Sequence, residues 1–155
     1  PMLNSDWNNI VEGEYILMSI HTSCWEEKKR NWEYKKFAQL AKLLEAKYAI
    51  RCIVLDKHYS FVEMVSLIRH CKFFIGNDSG PAIIAQSFKK KSFVIFGATR
   101  PEYVHLSENT VPIYDKGRHK LCQHNFRKEE IDCCEEFCMD RISVEKVFNQ
   151  IRLHI

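Results

Sequence analysis

The chain has 155 residues, the size of one ordinary domain, and its 46% hydrophobic and 28% charged residues are those of a soluble globular protein. No run of about 18 apolar residues exists, so no transmembrane segment is expected, and a net charge of +3 is too mild to argue for nucleic acid. The start, PMLNSDWNN, is polar and lacks a signal-peptide core, and its leading proline suggests an excised domain or a processed product.

Tyr15–Ile20 reads as a buried strand. From Trp32 to Lys47, apolar residues at Phe37, Leu40, Ala41 and Leu44 form a helical stripe. Ile50–Leu55 is strand-like. Ser60 with Glu63 makes a capping box that opens a helix running to about His70. Phe73–Ile75 is a strand, Pro81–Phe88 a helix and Ser92–Phe96 a strand. Thr110–Tyr114 is a further short strand, placed at an edge because Pro112 interrupts it. A last helix starts near Ser143, with Val144, Val147, Phe148 and Ile151 inward. Strands alternating with helices imply a parallel sheet with right-handed crossovers, hence a single Rossmann-like three-layer α/β/α domain over 1–155.

The segment Gly76-Asn77-Asp78-Ser79-Gly80-Pro81 is a tight polar loop between a strand and a helix. In open α/β sheets ligands bind at such carboxyl ends. Gly76 and Gly80 can take positive φ and let a ligand approach the backbone closely. Pro81 suits the first helical position, and the N–H groups of that turn suit a phosphate. A carboxylate repels phosphate, so Asp78 is expected to accept hydrogen bonds from sugar hydroxyls. The same residues are also the usual turn formers, and Asp78 is equally placed to be a helix cap.

Seven cysteines are present. Cys52 and Cys71 lie in or beside apolar runs and are expected to be buried small hydrophobes. The Cys-rich segment 119–142 holds Cys122, His124, Cys133, Cys134 and Cys138, with His119 nearby. These are Cys and His at spacings that tetrahedral zinc accepts. A metal site or a disulfide is the lesser reading, and free thiols packing a loop-rich tail, with no metal, are the leading expectation.

The run FIGNDSGP, followed by a helix and VIFGATRP, resembles the C-terminal half of glycosyltransferase family 9, which contains ADP-heptose:lipopolysaccharide heptosyltransferases. YILMSIHTS with KKRNW, FVEMVSLIRHC and CMDRI fall in the family's order, so the resemblance covers roughly residues 14–152. It implies the donor-binding, C-terminal half of a GT-B fold and an inverting glycosyltransferase, heptosyltransferase-like, acting in lipopolysaccharide or surface glycan synthesis. The donor implied is a nucleotide-diphospho-sugar, an ADP-sugar favoured, with no cofactor required. The acceptor implied is a glycan or a lipid-linked molecule, and the location is the cytoplasm or the periphery of the inner membrane. The catalytic base is expected in an N-terminal Rossmann-like domain outside this chain. Donor-binding residues implied are Thr22, Ser23, Lys28 or Arg30 as the cation, Asn77, Asp78, Ser79, Gly80 and Thr99.

Two departures from the family pattern stand out. Only Asp56-Lys57-His58-Tyr59 separates the second strand from the Ser60 helix, where members carry a further strand and helix. Ile83 replaces a common histidine. A noncatalytic nucleotide-sugar-binding module and a Cys-rich metal-binding interaction domain are the alternative functions.

Overall fold

The computed structural model describes residues 10–22, 30–97, 99–115 and 139–155. They form one sheet of five parallel strands: β1 (Tyr15–Ser19), β2 (Arg51–Leu55), β3 (Phe73–Asn77), β4 (Ser92–Ile95) and β5 (Thr110–Ile113), in the order β2-β1-β3-β4-β5. The helices are α1 (Tyr34–Tyr48), α2 (Phe61–His70), α3 (Gly80–Ser87) and α4 (Val144–Arg152). A 3-10 turn covers Pro101–Tyr103.

Strand residues alternate between two cores. Ile16, Met18, Phe73, Ile75, Phe93 and Ile95 face α1 and α4, where they meet Trp32, Phe37, Leu40, Leu44, Val147 and Ile151. Tyr15, Leu17, Phe74 and Val94 face α2 and α3, against Leu67, Ile68, Ala82 and Ala85. Covered on both faces, β1, β3 and β4 are fully buried and read as continuous apolar runs. The three-layer architecture expected from the sequence is therefore present.

Local signals act as read. Ser60 and Glu63 form the reciprocal capping box, with Ser60 N–H donating to Glu63 Oε2 at 2.8 Å and Glu63 N–H donating to Ser60 Oγ at 3.3 Å. Ser143 caps α4 by accepting from the Lys146 N–H. Pro112 sits on β5, at an edge of the sheet, where its missing N–H breaks no ladder. At the other edge, the Cys52 N–H on the outer side of β2 is taken by Glu45 Oε1 at 2.8 Å. The short 56–59 connection closes as a turn in which His58 N–H donates to Asp56 Oδ1 at 2.8 Å.

Two expectations about the loop need correction. Neither Gly76 nor Gly80 takes a positive φ; among the described glycines only Gly13 does. Gly76 is required for another reason. A Cβ there would lie 2.8 Å from Phe74 Cζ and 3.0 Å from the Ser19 carbonyl, so a side chain would have to displace the buried Phe74 ring and press on β1. Asp78 does not cap α3 either. The cap position belongs to Ser79, whose hydroxyl donates back to the Asn77 carbonyl at 3.1 Å, and the helix begins at Gly80 with Pro81 second.

Cys71 is buried, as expected, while Cys52 is only half-buried. Burial pushes both thiols from 9.0 up to about 12. Tyr15, buried and donating to the Leu67 carbonyl at 2.9 Å, is pushed from 10.0 to about 12, by burial first and then by Cys71. The folded chain keeps protons on these groups that the unfolded chain releases once pH passes 9 to 10. Stability should accordingly be full below about pH 9 and fall steadily towards pH 12. Urea midpoints across that range check this, and Cys71→Ser should flatten the decline.

A candidate binding cleft at the sheet's carboxyl edge

The chain leaves β1 for β2 on one side and later returns to β3 on the other. The carboxyl ends of β1 and β3 thus diverge at the switch point, which is where doubly wound sheets open a crevice. Two adjoining clefts lie there. The first, about 500 Å³, is lined by His21, Thr22, Arg30, Asp78, Ser79, Gly80, Pro81 and Ile83. The second, about 560 Å³, extends beneath the 56–59 turn over Ser19, Leu55, Tyr59 and Met64. They meet at His21 and Pro81.

Arg30 reaches across from the segment before α1. Its Nη2 donates to Asp78 Oδ2 at 2.9 Å and to the Asp78 carbonyl at 3.2 Å. The pair is partly exposed, so its own contribution to stability is only about 0–1 kcal/mol. Arg30 Nε and Thr22 Oγ1 are both buried and have no hydrogen-bond partner among the described residues. Gly80, first in α3, has an N–H with no intrahelical acceptor, and a Cβ on it would meet only open space. A hydroxyl, a guanidinium and a helix N-terminus therefore converge on one cleft. That donor set suits an anion with several oxygens.

Of the expected donor-binding residues, Thr22, Arg30, Asp78, Ser79 and Gly80 come together here. Between the two candidate cations, Arg30 lines the cleft, while Lys28 and Ser23 lie outside the described residues. Asn77 does not face the cleft. It is fully buried, its Nδ2 donating to the Ile20 carbonyl at 2.9 Å and its Oδ1 accepting the Trp32 N–H at 2.9 Å. Its amide is consumed by the protein, since Ile20, Asn31 and Trp32 take its hydrogen bonds. Thr99, another of the implied donor-binding residues, is 3% exposed and lines neither cleft.

His21, Asp56 and Tyr59 were not singled out by motif. They follow the ends of β1 and β2, and that position was the available signal. The Asp56 carboxyl is held below its usual range by hydrogen bonds from the His58 backbone and side chain, and further by the charges of His58 and His21. Among the described residues no group of three or more His, Cys, Asp and Glu side chains is placed to hold a metal. The set Cys122, His124, Cys133, Cys134 and Cys138 lies outside them. No described helix is long and apolar enough to cross a membrane.

A five-stranded parallel sheet with a cleft at its switch point defines a Rossmann-like α/β domain. The chain belongs to glycosyltransferase family 9 (heptosyltransferase), which its sequence matches over residues 24–134. No curated protein matches it in sequence. Its fold is similar to that of TibC from enterotoxigenic E. coli, a dodecameric iron-containing heptosyltransferase solved with ADP-D-beta-D-heptose. The TM-score is 0.72 and the identity 17%, over 96% of this chain and 47% of that one. E. coli ADP-heptose LPS heptosyltransferase II gives a TM-score of 0.68 at 16% identity, covering 90% of this chain and 46% of the other. E. coli heptosyltransferase WaaC with ADP-2-deoxy-2-fluoro heptose gives 0.68 at 14%, covering 92% and 44%. At such identities the likeness is one of fold, that of one half of a GT-B heptosyltransferase. The chain spans about half the length of these structures.

Proposed function

We propose that this chain is the donor-binding, C-terminal half of an inverting GT-B glycosyltransferase. It grips a nucleotide-diphospho-sugar, with an ADP-sugar favoured because TibC and WaaC were solved with ADP-sugars. The observation that carries the reading is the pair of buried, unpartnered polar atoms, Thr22 Oγ1 and Arg30 Nε, on residues lining one cleft. A buried polar group left unsatisfied costs about 1–3 kcal/mol, which an oxygen-rich anion offsets.

In the transfer step the sugar leaves a diphosphate on which negative charge grows. Arg30, with Ser79, Gly80 and Thr22 as donors, stabilises that charge where it develops. No metal cofactor is required on this account. Asp78 Oδ2 holds Arg30, which leaves Oδ1 to accept a hydroxyl of the sugar. The nucleoside lies in the second cleft, against Leu55, Tyr59 and Met64. The base that deprotonates the acceptor hydroxyl comes from the other Rossmann-like half. The acceptor is a glycan or lipid-linked molecule of lipopolysaccharide or another surface glycan, met in the cytoplasm at the inner membrane.

Titration calorimetry of the chain with ADP-, GDP- and UDP-sugars tests this. An ADP-sugar should bind, and the isolated chain should not transfer it. Absence of binding by every nucleotide-sugar would overturn the reading, and transfer by this chain alone at an ordinary ~10 s⁻¹ would overturn its half-enzyme part. One observation favours a noncatalytic binding module instead. Ile83, 62% exposed, brings to the first cleft a side chain that can neither donate nor carry a proton. Joining the chain to its companion half decides the matter: transfer appears if the chain serves an enzyme.

A further inference from the structure

We propose that Asn31 is a positioning residue, holding the Thr22 loop and the Arg30 guanidinium in the one arrangement that lets both meet a diphosphate. The proposal rests on the donor-binding reading above. Asn31 Oδ1 accepts two hydrogen bonds, from the Thr22 N–H at 3.0 Å and from Asn77 Nδ2 at 3.3 Å. Asn77 is itself locked. Turning its amide over would set its NH2 against the Trp32 N–H and its oxygen against the Ile20 carbonyl, which its 2.9 Å contacts forbid. The same test fixes Asn31, because only an oxygen can face two N–H donors.

Asn31 therefore joins three pieces of chain with one atom: the end of β1 at Thr22, its own segment between Arg30 and Trp32, and the end of β3 through Asn77. Thr22 and Arg30 each carry a buried polar atom with no hydrogen-bond partner among the described residues. Neither is held in place through those atoms: Asp78 steadies the Arg30 guanidinium at Nη2, and the rest of both placements comes from the backbone. The Thr22 backbone is fixed by the bond to Asn31, and Arg30 is the residue next to Asn31 in the chain. A small shift at the backbone is enough to lose the alignment that a shared diphosphate demands.

Two measurements on the chain test this. In the ligand-free protein the Thr22 amide should exchange slowly with solvent deuterium. It should exchange fast in Asn31→Ala and remain slow in Asn31→Asp, where a carboxylate oxygen still accepts both bonds. Fast exchange in Asn31→Asp, or slow exchange in Asn31→Ala, would sink the proposal. In binding, Asn31→Ala should weaken ADP about tenfold, the worth of one lost hydrogen bond, and leave adenosine within about twofold. In a Thr22→Val background the same change should cost only about threefold, because part of its effect passes through the Thr22 hydroxyl. Equal losses for ADP and adenosine, or an unchanged tenfold cost beside Thr22→Val, would assign Asn31 to general stability instead. Failure of the unsubstituted chain to bind ADP would bring down the donor-binding reading itself, while the exchange experiment would still judge Asn31.

Discussion

Trp32→Ala should lower stability by about 3–5 kcal/mol, the usual cost of emptying a large aromatic site in a packed core. Trp32 is 1% exposed and meets the Phe37 ring edge to face, with centroids 4.9 Å apart. Its indole N–H donates to the Ile142 carbonyl at 2.7 Å, and its backbone N–H donates to Asn77 Oδ1 at 2.9 Å. One residue thus ties the cleft-bearing segment, the β3 end and the C-terminal turn. Trp32→Phe keeps most of the volume and should cost far less, about 1–2 kcal/mol. Lys36 Nζ still reaches the Ile142 carbonyl at 3.3 Å, besides those of Met139 and Asp140. Urea denaturation of the two variants is the measurement. Equal losses for both would mean that the indole hydrogen bond, and not the filled volume, dominates.

Arg30→Ala should weaken nucleoside diphosphate binding by about tenfold to a hundredfold, because a charge-assisted hydrogen bond contributes roughly 1.5–3 kcal/mol. It should also flatten the salt dependence of binding. Asp78→Ala separates the two partners of the ion pair. It frees the guanidinium and removes a negative charge beside the phosphates, so the bare nucleoside diphosphate should bind as well as before or better. The nucleotide-sugar should bind less well, for want of the hydroxyl acceptor. Since the pair is partly exposed, breaking it should change the urea midpoint little. Loss of both ligands in Asp78→Ala would show that the carboxylate's task is to orient Arg30, to which it is bonded at 2.9 Å. An unchanged affinity in Arg30→Ala would pass the cation's role to Lys28.

Features that depend on neighbours a few residues apart were legible in the chain before any fold was known. Alternating apolar runs and helical stripes marked every described strand and helix. The Ser60–Glu63 box marked the start of α2, and Pro112 marked an edge strand. The loop from Gly76 to Pro81 marked the end of a strand and the start of a helix, because glycine, proline and small polar residues carry their geometry locally. What the tertiary structure decided involves residues brought together by strand order. Arg30 meets Asp78 across 48 positions of sequence, and the Asn77 amide meets Trp32 across 45. Arg30 therefore moved from a lone cation to one member of an ion pair, and Asn77 from a ligand contact to a buried clamp. Gly76 is needed because the buried Phe74 ring and the Ser19 carbonyl on β1 both crowd it, a constraint set by packing. His21 and Asp56 share a cleft for the same reason: β1 and β2 run parallel side by side, so residues leaving their ends emerge on one edge however far apart they stand in the chain.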